Sequence, residues 1–252
     1  MIAVKTEKEI DIMREGGQLL ADILEKVSKK VAPGVTTKEL DALAENLILR
    51  NKAKPAFKGY GGFPATLCTS VNNVVVHGVP SDRQLEEGDI ISLDIGLVYK
   101  GFFADMAKTV AVGSVDPEAM RLIRVTKKAL KLAIKKSKPG NTFGDIGNTI
   151  QRYVEYQGFN VVRDLCGHGI GTELHEEPEI LNYGKRHSGP KIKEGMVFCI
   201  EPMVAMGDWH IKKSADKFGY ETKDGSLSAH FEHMVAVKKD GPHVLSLPTL
   251  TS

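Results

Sequence analysis

Cysteine is scarce in this 252-residue chain: Cys68, Cys166 and Cys199 are widely spaced, with no Cys-x-x-Cys pair. That excludes a disulfide framework and a thiolate zinc site, and leaves three small buried hydrophobes in a reducing compartment as the expected reading. No uncharged apolar run of about 18 residues occurs, so no bilayer-spanning helix is expected. The segment from Met1 to Glu7 lacks the apolar core of a signal peptide. The net charge of +2 is too small to demand nucleic acid or an anionic membrane as partner. His-Glu-x-x-His, Gly-x-x-x-x-Gly-Lys-Ser/Thr and Gly-x-Ser-x-Gly are all missing, which removes three common catalytic readings. Gly167-His168-Gly169-Ile170-Gly171 superficially looks like a dinucleotide loop, but Thr172 stands where the third glycine of that fingerprint belongs. What is present is an ordinary globular composition, 42% hydrophobic and 26% charged. The chain is long enough for one large domain or two small ones, and a cytoplasmic location is expected.

The sequence repeats itself at about half its length. Lys29-Lys30-Val31-Ala32-Pro33-Gly34-Val35-Thr36 and Lys135-Lys136-Ser137-Lys138-Pro139-Gly140-Asn141-Thr142 lie 106 residues apart, each ahead of a helical pattern. In both, Pro-Gly makes the turn and the threonine can cap the next helix. Leu85 to Asp94 and Ile192 to Glu201 match at an offset of 107, each a glycine turn, a strand and then a carboxylate. Two matches in one order are hard to ascribe to chance. The periodicity predicts helices over 7–31, 36–51, 117–137 and 142–157. It predicts strands over 66–70, 74–77, 90–98, 102–112, 161–165, 196–204 and 231–238. Helices followed by strands in each half give an α+β class, with helices on one face of a largely antiparallel sheet. No linker separates the halves, about 1–115 and 116–252, so one fused pseudo-symmetric domain is expected.

Between Ile90 and Val98, Ile91, Leu93, Ile95 and Leu97 point one way and Ser92, Asp94 and Gly96 the other. A hairpin about Lys100 brings Asp105 directly or diagonally opposite Asp94 on the same face. Such carboxylates repel unless protonated or bridged by a cation; the alternative is two solvated aspartates on an open face. Glu201 sits in the apolar run Met196 to Val204, and Glu232 between Phe231 and another apolar run. Buried there, each needs a partner, either a metal or a core salt bridge. No basic residue flanks either glutamate within its run, which favours the metal. His168, among three glycines, sits in a close-approach loop and is read as a ligand, with a hydrogen-bonded structural histidine as the alternative. His77, in Val76-His77-Gly78-Val79, is the counterpart of His168 in the other half and is expected across the same centre. Four carboxylates and an imidazole suit Mn²⁺, Fe²⁺, Co²⁺ or Zn²⁺, and two such ions balance the charge.

The combination Val76-His77-Gly78-Val79-Pro80, Asp94-Ile95-Gly96, Asp105, Gly167-His168-Gly169-Ile170-Gly171, His175-Glu176-Glu177-Pro178, Glu201-Pro202-Met203 and Phe231-Glu232-His233 resembles the type I methionine aminopeptidases over essentially the whole chain. The resemblance implies the pita-bread fold and removal of an N-terminal methionine that precedes a small residue, by attack of hydroxide activated at two metals. It implies that Asp105 and Glu232 bridge the ions, that His168 and Glu201 complete one, and that Asp94 chelates the other. It makes His77 and His175 non-ligand residues at the scissile amide, and gives Glu201 a proton-shuttling role. The side-chain pocket maps onto Phe57, Tyr60, Phe63, Cys68, Leu174 and Phe218. Phe63, Leu174 and Phe218 depart from the Tyr, Phe and Trp usual in the family, and so alter the pocket's shape. Asn72, Val74 and Ser228 match a monovalent-cation position. The resemblance further implies a minimal bacterial-type monomer acting on nascent polypeptides. Lys212, Lys213, Lys217 and Lys223, in a polar loop from Trp209 to Ser226, are read first as a solvated surface loop, with contact to ribosomal RNA phosphates as the functional alternative. The rival readings are a prolidase or X-Pro aminopeptidase, and a non-catalytic binding protein on the same fold.

Overall fold

The computed structural model describes residues 2–249; Met1 and residues 250–252 lie outside it. Four helices form where the periodicity predicts them: α1 (Glu7–Ser28), α2 (Thr37–Arg50), α3 (Pro117–Lys136) and α4 (Phe143–Tyr156). Three open on a capping box, in which a threonine hydroxyl accepts the N3 amide and the N3 carboxylate accepts the cap amide. The pairs are Thr6 with Glu9, Thr36 with Glu39 and Thr142 with Asp145. Asp116 caps α3, with Pro117 in its first turn, where proline's missing N–H is not needed.

The strands are β1 (Lys54–Pro55), β2 (Leu67–Val71), β3 (Val74–Val76), β4 (Ile90–Tyr99), β5 (Phe102–Ala111), β6 (Asn160–Val161), β7 (Cys166–Gly169) and β8 (Glu176–Leu181). They continue with β9 (Val197–Ile200), β10 (Met203–Ala205), β11 (Ile211–Lys213), β12 (Tyr220–Thr222), β13 (Ser228–His230), β14 (His233–Lys238) and β15 (Gly241–Val244). One sheet has the order β1-β4-β2 with β5 on the far side of β4, and another runs β15-β14-β9-β7-β8. Two smaller sheets, β13-β10-β6 and β11-β12-β3, join them, and the described pairings are antiparallel. The fold is the pita-bread fold of helices on antiparallel sheet.

Each helix pair covers its own core. Ile91, Leu93, Ile95 and Leu97 pack with α1 and α2, while Phe198, Ile200, Val235 and Val237 pack with α3 and α4. Alternation along β4 therefore leaves Asp94 on the face away from the helices. The turn segments of the repeat bridge alike, Thr36 to Gln84 and Thr142 to Lys191.

Several predicted bounds need correction. The strand predicted over 196–204 breaks into β9 and β10 at Glu201-Pro202, because Pro202 has no N–H for the ladder. The strand predicted from 231 begins at His233, after a kink at Phe231-Glu232. The strand predicted over 161–165 is only the short β6, with β7 following at Cys166. The loop from Trp209 to Ser226 contains the hairpin β11–β12, whose three-residue strands are too short for a period to register. Strands β1, β8, β13 and β15 also escape the sequence pattern.

Gly17 gives a test of how α1 is seated. A Cβ there would stand 2.6 Å from the Leu245 carbonyl oxygen and 3.0 Å from Met234 Cε. Alanine for glycine inside a helix ordinarily gains about 1 kcal/mol. Here overpacking should reverse the sign, and Gly17→Ala should lose about 1–3 kcal/mol in urea denaturation. A rise in the midpoint would show that the contact yields freely.

Candidate metal centre

Strands β4 and β5 meet in a two-residue turn, Lys100-Gly101, with φ of +49° and +87°, the signs of a type I′ hairpin. Its register sets Asp94 opposite Ala107 and Asp105 opposite Gly96. The two aspartates are thus diagonal neighbours on one face. His168 lies in β7 between Gly167 and Gly169, and a side chain at either glycine would overlap the carbonyl of Cys199 or Glu177. The glycines therefore let β7 lie flush against its neighbours and hold the imidazole inward. Glu201 directly follows β9, where Pro202 stops the ladder. Glu232 sits at the kink before β14, its amide donating to the Ala107 carbonyl at 2.9 Å.

These side chains converge. His168 Nε2 is 3.6 Å from Glu201 Oε1, 3.8 Å from Glu232 Oε1 and 3.9 Å from Asp105 Oδ2. Asp94, Asp105 and Glu232 each offer a carboxylate oxygen within 4.8 Å of the others. Asp94 Oδ1, Asp105 Oδ1 and Glu232 Oε1 are buried without a hydrogen-bond partner. Among the described residues, no lysine or arginine pairs with any of these carboxylates; His168 and His230 alone approach them. Burial, then repulsion from neighbouring acids, holds Asp105 and Glu232 well above the ordinary carboxylate range. Burial and the charge of Asp94 do the same to Glu201. Burial lifts Asp94 to about 6 and depresses His168 to about 4, which leaves its imidazole neutral at pH 7. Orphaned buried oxygens beside a neutral imidazole are the donor set that a divalent cation satisfies, so the residues fit a metal site.

The centre lies in a cavity of about 1150 Å³, lined also by every residue expected in the side-chain pocket: Phe57, Tyr60, Phe63, Cys68, Leu174 and Phe218. Phe63 and Phe218 meet edge to face at 5.6 Å. The same cavity holds His77 and His175. His77 has a φ of +58° and, through burial, a pKa lowered to about 4. Burial also lowers His175, whose Nδ1 lies 2.8 Å from Tyr60 Oη and whose ring stands edge-on to His168 at 4.4 Å. Away from the cavity, Ser228 Oγ lies 3.1 Å from the carbonyl oxygens of both Asn72 and Val74. Of the four loop lysines, all exposed, Lys212 pairs with Glu221 at 3.2 Å and Lys213 lies over the Tyr220 ring.

Two residues escaped the sequence reading. His230 is 1% exposed, neither ring nitrogen has a hydrogen-bond partner, and Nε2 is 3.6 Å from Glu201 Oε2. Its spacing of two from Glu232 in Ser228-Ala229-His230-Phe231-Glu232 was the available signal. Cys199, expected as an inert small hydrophobe, is buried with its sulfur within 4.8 Å of ligand atoms of His168 and Glu232.

A profile described as metallopeptidase family M24 matches residues 11–239. The chain belongs to metallopeptidase family M24. Among M24 relatives, the methionine aminopeptidase of Clostridium perfringens is 49% identical over 98% of this chain and 99% of its own length. Methionine aminopeptidase 1 of Bacillus subtilis is 44% identical over 98% and 99%. The crystal structure of methionine aminopeptidase from Rickettsia prowazekii superposes with a TM-score of 0.97 at 43% identity, covering 98% of this chain and all of that one. The M24 prolidase from Pyrococcus horikoshii has a TM-score of 0.78 at 25% identity, and only 64% of that longer chain is covered.

The acid cluster makes the stability of the metal-free protein depend on pH. In the unfolded chain Asp94 titrates near 3.8 and the histidines near 6.5. The raised carboxylates keep more protons in the folded state, so they make stability fall as pH rises. The depressed histidines His77, His168 and His233 make it rise, but only up to about 7.5, above which they are neutral in both states. Above that the acids act, joined toward pH 9 by the buried thiols of Cys68, Cys166 and Cys199, which burial raises in the same direction. With chelator present, the urea midpoint should fall between about pH 7.5 and about pH 8.5, and Mn²⁺ should remove most of the slope. A midpoint rising over that range would contradict the raised carboxylates.

Proposed function

We propose that this chain hydrolyses the first peptide bond of polypeptides beginning with methionine and a small second residue, using two divalent ions. The observation that carries the proposal is the convergence of four buried carboxylates and His168, with no lysine or arginine among them, inside an apolar cavity. Asp105 and Glu232 would bridge the ions, His168 and Glu201 complete one, and Asp94 holds the other. Bound ions supply Lewis acidity and an acidified water at neutral pH; Mn²⁺, Fe²⁺, Co²⁺ and Zn²⁺ all suit the donors.

The rest falls to the chain's own side chains. The cavity wall of Phe57, Phe63, Cys68, Leu174 and Phe218 receives the methionine side chain and excludes water. Glu201, a carboxylate lining the cavity, takes up the proton that attacking water releases and passes it toward the leaving amine. With Tyr60 Oη donating to His175 Nδ1, the proton of the neutral imidazole sits on Nε2. That N–H can donate to the carbonyl oxygen as negative charge develops on it. His77, neutral and at the same cavity, contacts the scissile amide. Outside the catalytic cavity, the carbonyls of Asn72 and Val74 with Ser228 Oγ are a candidate monovalent-cation site. Lys212, Lys213, Lys217 and Lys223 offer contact with ribosomal RNA to a cytoplasmic monomer.

His168→Ala should lower kcat/KM on a Met-Ala peptide by more than the roughly 10–100-fold typical of losing a residue that only orients a ligand. Metal analysis should show the stoichiometry falling with it; wild-type values for both would sink the proposal. The wild-type enzyme should cleave Met-Ala, cleave Met-Lys far more slowly and leave Ala-Pro intact, whereas a preference for Ala-Pro would favour the prolidase reading. Tyr60→Phe should cut kcat by roughly 10-fold, a fraction of the ~10²–10³ attached to an oxyanion donor itself.

A further inference from the structure

The segment before α1 runs along the catalytic cavity, where Ala3, Val4 and Lys5 are among its lining residues with Leu174 and His175. It is fastened twice. The Lys5 amide donates to the Gly195 carbonyl at 2.7 Å, and Gly195, at φ +83°, makes room for Val4, whose Cγ1 a Cβ would meet at 2.5 Å. The Lys5 ammonium then lies 2.5 Å from Glu176 Oε2, with the two side chains only 8% and 15% exposed. The other oxygen of Glu176, Oε1, accepts from the Thr172 amide at 2.9 Å and from the Glu173 amide at 3.4 Å. Gly171 gives clearance here too, since a Cβ there would stand 2.5 Å from Lys5 Cε. One carboxylate therefore ties the N-terminal segment to the inside of the 171–176 loop. Among the described residues, Lys5 is the only cation paired with it. A buried pair of this kind differs from an exposed one, because removing either partner leaves the other charged and desolvated.

We propose that Lys5 is a positioning residue for the reaction: through Glu176 it fixes the loop that presents Leu174 to the pocket and His175 to the scissile carbonyl. This rests on the proposed function for its catalytic consequence, though not for its structural one. Tyr60 holds His175 from one side at Nδ1, and the Lys5–Glu176 pair holds its backbone from the other. A loop loosened at Glu176 keeps its imidazole but loses the orientation, and small misplacements of a catalytic group are expensive in rate.

The test uses the full-length, metal-loaded protein with Lys5→Met, which keeps the aliphatic stem and removes the charge, and with Lys5→Arg, which keeps the charge. In Lys5→Met, hydrogen exchange of the amides in 171–176 should speed up at least about tenfold, and kcat on a Met-Ala peptide should fall by about 10–100-fold. Metal stoichiometry should stay close to wild type, and the thermal midpoint should drop, because Glu176 is left desolvated without its cation, but stay well above the assay temperature. Lys5→Arg should recover most of both losses, and Glu176→Gln, which keeps an acceptor for the loop amides, should fall between. Wild-type exchange and kcat in Lys5→Met would overturn the proposal. So would loss of activity that tracks a collapsed midpoint in Lys5→Met and Lys5→Arg alike. Exchange needs no substrate, so it reads the tether even if the wild-type protein does not cleave Met-Ala.

Discussion

Repulsion among Asp94, Asp105, Glu201 and Glu232 is the constraint around which this fold is arranged. Close charges in a desolvated place interact far more strongly than they would in water. Ordinary proteins relieve such clusters with lysine or arginine. Here the described residues supply only the imidazoles of His168 and His230, and burial pushes both away from carrying charge. The protein is left with acceptors and no cation of its own. A folded chain tolerates that if the acids hold protons or if cations arrive from outside. Metal binding and folding are therefore coupled, since the ions neutralise what the fold has forced together.

The pseudo-symmetric layout explains how the cluster is assembled without a dedicated metal-binding motif. Asp94 and Asp105 come from the β4–β5 hairpin of the first half, and His168, Glu201 and Glu232 from the second-half sheet. Each helix pair covers a core of its own, the first of which also takes in second-half residues such as Met234 and Leu245. The strands turn their other face toward the seam, where the ligands meet. Neither half would carry a complete donor set alone, so the centre reports on the docking of the two.

How far this was legible in the sequence depends on the range of the interaction. Capping boxes are local, and Thr36 and Thr142 could be read directly. The diagonal relation of Asp94 and Asp105 followed from strand alternation and a two-residue turn. Glu201 and Glu232 were visible as acids stranded in apolar runs, a conflict between local pattern and burial that marks functional positions. What stayed hidden was mostly short or distant. Three-residue strands such as β11 and β12 are paired by tertiary contacts and show no period. The ion pair of Lys5 with Glu176 spans 171 positions along the chain, and nothing near either residue announces the other. His230 was hidden differently, because its neighbour Glu232 drew the reading to itself.

His230 also sharpens the role of Glu201. The carboxylate of Glu201 lies between two imidazoles, Oε1 facing His168 Nε2 and Oε2 facing His230 Nε2, each at 3.6 Å. Those separations are too long for hydrogen bonds, so neither ring fixes it in the metal-free state. The backbone of His230 is nonetheless rigidly placed: Thr109 Oγ1 accepts from its amide at 2.8 Å and donates to its carbonyl at 2.9 Å. Pro202 ends the ladder immediately after Glu201, which frees the glutamate from strand geometry. The result is a carboxylate that lies between two imidazoles without a hydrogen bond from either. The proton-carrying role proposed for Glu201 calls for such an arrangement, because a carboxylate locked by hydrogen bonds at both oxygens could neither meet a cation nor carry a proton.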